Sequence, residues 1–199
     1  FNESRTEGYR AFANKIWNAA RFLFLNMERS GVEPSIPARP EQGELEDRWI
    51  FSRLNACAEQ MNRAIGLYRF HEAAQAIWHF FWHDFCDWYI ELKKLRFQEN
   101  SGMNADWANI LSAFEAALRL LHPVMPFLTE ELWQRLVEGA AHRPKSIALA
   151  RYPDYSQALA DLPPDREIPV LQECVTAART LRAGAKHGPK GAPAGRTCF

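Results

Sequence analysis

The sequence has no C-x-x-C pair. Cys57, Cys86, Cys174 and Cys198 stand far apart, a spacing that excludes a zinc ribbon and a dense disulfide framework. Cys57 and Cys86 fall in helical patterns and read as small core residues, which fits a reducing, cytoplasmic setting. Neither sign of charge is in excess, with Lys and Arg totalling 24 and Asp and Glu 24. Contact with a polyanion must therefore come from a local patch rather than from a globally basic body. Every long apolar stretch is interrupted by His, Asp or Arg, so neither a membrane span nor a signal peptide is predicted. The chain contains no G-x-x-x-x-G-K-[ST] loop, no G-x-G-x-x-G and no G-x-S-x-G, the backbone-donor and nucleophile arrangements of phosphate handling and acyl transfer. No Ser/His/Asp or Cys/His set has persuasive spacing, and no internal repeat is present. The expectation is a chain with no catalytic residues, no metal site and no cofactor of its own. It opens on Phe1 rather than Met and enters a helical pattern at once, as a piece of a longer protein would.

What is abundant is apolar surface at helical spacing. Hydrophobic residues make up 47% of the chain, enough for one sizeable core. Helices are predicted over 6–29, 44–68, 70–97, 105–121, 130–138 and 166–182. Gly31, Pro34, Pro37 and Pro40 break the chain after the first, and Asn100-Ser101-Gly102 marks the turn after the third. The third is the most aromatic, with Trp78, Phe80, Phe81, Trp82, Phe85, Trp88 and Tyr89 on more than one face, the mark of a central buried helix. Asp84, Asp87 and Glu91 on it read as a salt-bridged stripe served by Lys93, Lys94 and Arg96, in preference to a metal or acid–base site. Thr129 is a candidate cap for the fifth helix. His122, before Pro123, lacks a ligand partner and reads as closing the turn. Residues 146–153, short and apolar before a proline, predict one strand-like segment. The Gly-, Ala- and Pro-rich tail 184–199 cannot build a core and is predicted to be disordered.

The first helix carries two faces of different character. Tyr9, Phe12, Ala13, Ile16, Ala20, Leu23 and Met27 recur at steps of three and four and form a core stripe. The opposite side holds Arg10, Asn14, Asn18 and Arg21, with Lys15 and Phe22 on its flank and Leu25 within it. Cations suit phosphates, amides suit base edges, and an aromatic ring gives a base a stacking surface. The alternative is an ordinary surface whose Phe22 and Leu25 pack on a neighbouring helix.

Four runs resemble one family. Asn14-Lys15-Ile16-Trp17-Asn18-Ala19-Ala20-Arg21-Phe22 is similar to the N-K-x-W-N-A-x-R-F signature that opens the anticodon-binding domain of valyl-tRNA synthetases. Asp47-Arg48-Trp49-Ile50 with Ser52-Arg53-Leu54-Asn55 resembles the D-R-W-I-x-S-R-L-N run of that family, and Phe85-Cys86-Asp87-Trp88-Tyr89-Ile90-Glu91 its F-C-D-W-Y-x-E motif. The run from Leu120 to Trp133 resembles the L-L-H-P-x-M-P-F-x-T-E-E-L-W motif shared by valyl, isoleucyl and leucyl enzymes. The resemblance spans residues 8 to about 152, and the motifs follow the family's order. The H-I-G-H and K-M-S-K-S signatures of the ATP site are absent.

The resemblance implies an all-α, antiparallel bundle of five or six helices of the class I synthetase anticodon-binding type, with the irregular or strand-like segment after the fifth. It divides the chain into a helical domain 1–153, a linker and helix 154–183 leading toward a C-terminal arm, and the tail 184–199. It implies a non-catalytic piece of a ligase that attaches valine to its tRNA with ATP, its partners being the valine-specific anticodon arm and a catalytic domain in cis, and a monomeric state. In that reading Phe22 stacks a base, Asn14 and Asn18 reach base edges, and Arg10, Lys15 and Arg21 hold phosphates. The alternatives are an isoleucyl- or leucyl-type domain, or a helical scaffold that braces the catalytic domain without reading bases.

Overall fold

The structure is a computed structural model that describes residues 3–31, 43–99, 103–138, 143–159 and 162–184. Its elements in chain order are α1 (Glu3–Ser30), α2 (Leu45–Gly66), α3 (Phe70–His79), a π-helical stretch (Phe80–Tyr89), α4 (Ile90–Glu99), α5 (Met103–Leu121), α6 (Pro126–Leu136) and α7 (Leu162–Gly184), with 3₁₀ turns at Ile147–Leu149 and Gln157–Leu159. The all-α expectation holds, and no strand occurs among the described residues. The chain divides into two compact units, 1–161 and 162–199.

Within the first unit the core forms where the sequence stripes converge. Ile16 and Leu23 of α1, Ile50 and Met61 of α2, and Ile110, Leu111, Phe114 and Leu118 of α5 are fully buried. Phe85 stacks on Phe114 with ring centroids 5.9 Å apart, and Phe97 stacks on Trp107 at 4.3 Å. Tyr9, expected in the α1 stripe, lies instead beyond the core edge and is 69% exposed.

The predicted third helix is one continuous helical rod, but its middle is wound more loosely than expected. From Phe80 to Tyr89 the backbone is π-helical, with more than four residues per turn. That winding returns Phe80, Phe81, Asp84, Phe85 and Tyr89 to one side, and all five are buried. In an α-helix the same residues would spread around the axis, which is why the sequence looked apolar on more than one face.

Three further expectations are corrected. Residues 146–153 form no strand: Ser146 starts a 3₁₀ turn by accepting the Ala148 N–H, and Ile147 is buried. An extended segment would find no strand partner here, and the side chains of α2 and α6 take its polar groups instead. Asn55 Nδ2 donates to Ser156 O at 3.0 Å while the Ser156 N–H donates to Asn55 Oδ1 at 2.7 Å; Asn62 donates to Pro153 O at 2.9 Å. Thr129 caps nothing, because α6 starts three residues earlier with proline in its first turn, where a missing N–H costs no helical bond. The buried Thr129 hydroxyl donates back to Met125 O at 2.9 Å and meets His122 Nδ1 at 2.8 Å, so His122 does close the turn, as read. Lys93 and Arg96 do not serve the helix-three stripe. Lys93 turns inward to Asp47 (2.7 Å) and Asp106, and Arg96 reaches Glu46 at 3.0 Å and Glu44 at 3.2 Å.

In the second unit α7 runs as one helix with Pro169 inside it, so one backbone hydrogen bond of the i→i−4 ladder is missing there. The tail expected to be disordered lies, beyond Gly184, outside the described residues, as do most of the loop after α1 and the Asn100-Ser101-Gly102 turn.

Candidate nucleic-acid interface

α1 lies with one flank toward the π-helical stretch and α4 and the other toward α6. The six candidate residues divide accordingly. Arg10, Asn14, Asn18 and Arg21 are all exposed and follow one line along the outer face, at the i, i+4, i+8 spacing that stacks side chains on one side of a helix. No described residue partners any of the four side chains. Lys15 and Phe22 are half-buried and belong to a seam with the π-helical stretch and α4.

The seam is specific. Lys15 Nζ stands 2.5 Å from Asp87 Oδ1 and 4.9 Å from the centroid of the Trp82 ring. Trp82 is itself fixed by stacking on Trp78 at 5.4 Å and on Phe12 at 6.3 Å. His83 Nδ1 approaches the other Asp87 oxygen at 3.3 Å. One turn on, Lys94 Nζ stands 2.6 Å from Glu91 Oε1 and 4.9 Å from the centroid of the Phe22 ring. Two ammonium groups therefore each sit between one carboxylate and one aromatic face, and both cation–π and charge-assisted contacts are made at the half-exposed surface. On the other flank the Arg135 guanidinium lies 5.5 Å from the Trp17 ring.

The structure thus brings Arg10, Asn14, Asn18 and Arg21 together on an open face, and it places Lys15 and Phe22 at that face's edge with partners already in hand. Trp82, Asp87, Glu91 and Lys94 complete the edge and were not singled out as site residues in the sequence. The four-residue step from Asp87 to Glu91 was visible there. That the step faces Lys15 required the packing of α1 on the π-helical stretch, which no local periodicity reports.

Other polar features are structural. Asp84 is buried and takes Arg53 Nε at 3.0 Å, and burial raises its carboxyl above the usual range despite the guanidinium. Burial pushes the Cys57 and Cys86 thiols up to about 12, so neither forms a nucleophilic thiolate near neutral pH. No group of three or more His, Cys, Asp or Glu side chains among the described residues could hold a metal ion, and no described helix is long and apolar enough to cross a membrane.

Comparison with known proteins gives a consistent result. The family model for the anticodon-binding domain of tRNA ligase matches residues 47–192. A Solibacter usitatus protein named valine–tRNA ligase is 58% identical over 188 residues, covering 94% of this chain and 20% of its own length. Proteins of the same name from Neisseria meningitidis and Thermotoga maritima are each 41% identical, covering 92% and 89% of this chain. The chain spans about a fifth of the length of these relatives. Among solved structures, the LeuRS–tRNA–LeuAMS ternary complex from Agrobacterium radiobacter contains a chain that superposes with a TM-score of 0.55 at 18% identity, over 81% of this chain and 18% of that one. That likeness concerns the fold.

Proposed function

The chain belongs to the anticodon-binding domain family of tRNA ligases, and from this we propose that it is the part of a valine–tRNA ligase that holds the anticodon arm of the valine tRNA. The observation that carries the reading is the open α1 face. Arg10 and Arg21 bracket Asn14 and Asn18, all four exposed, and Phe22 supplies a ring at its edge.

The physical task is recognition of a single-stranded loop, which uses stacking and hydrogen bonds to exposed base edges. Asn14 and Asn18, one helical turn apart, each offer an amide that can donate and accept toward a base. Arg10, Lys15 and Arg21 hold phosphates, and Phe22 takes a base plane. The reaction of the whole enzyme, attachment of valine to tRNA using ATP, belongs in this proposal to a catalytic domain in cis, outside this chain. That domain binds the ATP, and no catalytic residue or cofactor is assigned to the residues here. The enzyme is placed in the cytoplasm as a monomer.

A second reading, a scaffold that braces the catalytic domain, is favoured by a different observation. Tyr68, Phe70 and Phe127 are exposed by 81%, 61% and 90%, and none of them belongs to the α1 face. The two readings separate in one experiment: binding of the chain to a valine anticodon stem-loop beside a loop with a changed middle base, at low and moderate salt. A base stacked on an aromatic ring is worth about 1–3 kcal/mol, so Phe22→Ala weakens the valine loop by roughly one to two decades and erodes its preference, as does Asn18→Ala. Salt-sensitive binding without preference leaves a phosphate-holding surface and removes the roles of Asn14, Asn18 and Phe22. No binding to either loop favours the scaffold.

A further inference from the structure

Lys15 is unlike Arg10 and Arg21. They are open, whereas its ammonium is held by Asp87 at 2.5 Å over the Trp82 ring. Lys94 repeats the arrangement with Glu91 at 2.6 Å over the Phe22 ring. Phe22 therefore presents a face that is already covered by a cation. A base that stacks on that face moves Lys94 aside, and a phosphate that reaches Lys15 or Lys94 competes with a carboxylate already in place. Asp87 and Glu91 are one turn apart on the same rod, so both replacements occur along one edge.

We propose that Asp87 and Glu91 are specificity-determining residues, carboxylates that occupy Lys15 and Lys94 in place of RNA phosphate, so that only a loop which also seats a base on Phe22 repays their displacement. The proposal rests on the anticodon-binding reading. Its physical content is a threshold. An RNA that offers phosphates alone exchanges one anionic partner of each lysine for another and gains little. An RNA whose phosphates and base arrive together gains the ring face as well. The open Arg10 and Arg21 make first contact with either RNA, and the seam then discriminates.

The test compares a valine anticodon stem-loop with an unstructured oligonucleotide of equal length, across a salt series, for the full chain and a set of variants. In Asp87→Asn/Glu91→Gln both lysines are unpaired before binding. Each then releases its own counterions, so the slope of log affinity against log salt steepens by about 0.7 per lysine for single-stranded RNA. The unstructured RNA gains more affinity than the stem-loop, and the preference narrows. Glu59→Gln/Glu138→Gln removes the same charge from exposed carboxylates on α2 and after α6 and leaves slope and preference nearly unchanged. In a Lys15→Gln/Lys94→Gln background, the Asp87 and Glu91 changes produce no steepening, because the groups they release are gone. Each single carboxylate variant carries about half the effect, which keeps the readout available if the double variant folds poorly. A wild-type chain that prefers the valine loop, with Asp87→Asn/Glu91→Gln keeping the same slope and preference, overturns the proposal and leaves the two carboxylates as helix-packing groups. A wild-type chain that binds neither RNA overturns the anticodon-binding reading itself, and this proposal with it.

Discussion

Lys93 and Lys94 are neighbours on α4 and meet opposite fates. Lys93 is fully buried, between Asp47 at 2.7 Å, Asp106, and Glu46 at 3.8 Å. Lys94 lies at the surface between Glu91 and the Phe22 ring. One residue of helix is a step of about 100°, and that step separates a pair that fixes the core from a pair that lies at the surface beside α1. Around Lys93 the carboxylates are shared. Asp47 completes the capping box of α2 with Glu44, accepts the Tyr89 hydroxyl at 2.5 Å, and takes Lys93. One buried anion thereby ties the start of α2 to the π-helical stretch and to α4, while Asp106 ties α5 to the same ammonium. At the seam each carboxylate has one lysine, with His83 on the second Asp87 oxygen, and lies open to water. Burial makes the first network costly to break and cheap screening makes the second one exchangeable.

The largest effect should follow from removing the buried cation. Lys93→Ala leaves Asp47 and Asp106 without their counter-charge, and breaking a buried pair by deleting one partner costs about 3–5 kcal/mol. Urea unfolding is the measurement, with the unfolding free energy expected to fall by about 3–5 kcal/mol. Lys93→Met combined with Asp47→Asn and Asp106→Asn should recover part of that loss, because no buried charge is left unpaired. A loss below about 1 kcal/mol for Lys93→Ala would erase the difference between the two lysines.

A second way to press on the buried side is Gly43. A Cβ there would run into the Asp47 side chain and stand 2.7 Å from Asn109 Nδ2. Gly43→Ala therefore pushes on the carboxylate that holds α2, Tyr89 and Lys93 together, and overpacking of this kind costs about 1–3 kcal/mol. Thermal melting should show the shift, together with Gly8→Ala on α1, where nothing lies within 4 Å, as the neutral or slightly stabilising counterpart.

The contrast also marks what the sequence could disclose. The core stripes of α1, α2 and α5 were legible because a 3.6-residue repeat of apolar side chains has one physical solution. The open line Arg10, Asn14, Asn18, Arg21 was legible for the same reason. Lys93 was misread as a surface partner for Asp87 and Glu91, since a lysine on an amphipathic pattern is nearly always solvated and its acids lie 46 and 13 residues away. The π-helical stretch was hidden because periodicity arguments assume one winding throughout. The family's motifs supplied what periodicity could not, the identity of the domain, but they gave no hint that Lys15 and Phe22 come already partnered.

A smaller effect is expected where α6 meets the 3₁₀ turn. Partial burial pulls the Glu130 carboxyl upward, but hydrogen bonds from Gln134, the Ser146 hydroxyl (2.7 Å) and the Ile147 N–H (3.2 Å) outweigh it and hold the group below its usual value of 4.5. A depressed folded-state value means that this contribution is fully present above pH 4.5 and is lost as the pH falls through the folded value. Glu130→Gln should flatten that acid limb in a pH series of unfolding midpoints. The protection of the Ala148 amide against hydrogen exchange, relative to its intrinsic rate at each pH, should fall in acid in the wild type alone, since its N–H bonds the Ser146 hydroxyl oxygen at 3.1 Å.

The smallest change in stability belongs to the other lysine. Lys94→Ala removes an exposed pair worth about 0–1 kcal/mol and a cation–π contact worth about 0.5–1 kcal/mol at an exposed site. Against these, a long side chain regains its rotamer freedom, so the net shift in urea midpoint should stay within about 1 kcal/mol. The same substitution uncovers the Phe22 ring and deletes a cation, so stacking becomes easier while phosphate attraction falls. The affinity for unstructured RNA should then drop more than the affinity for a loop that seats a base. If Lys94→Ala instead destabilised the fold as Lys93→Ala does, the seam would be part of the core framework, and its carboxylates could not be spared to yield to phosphate.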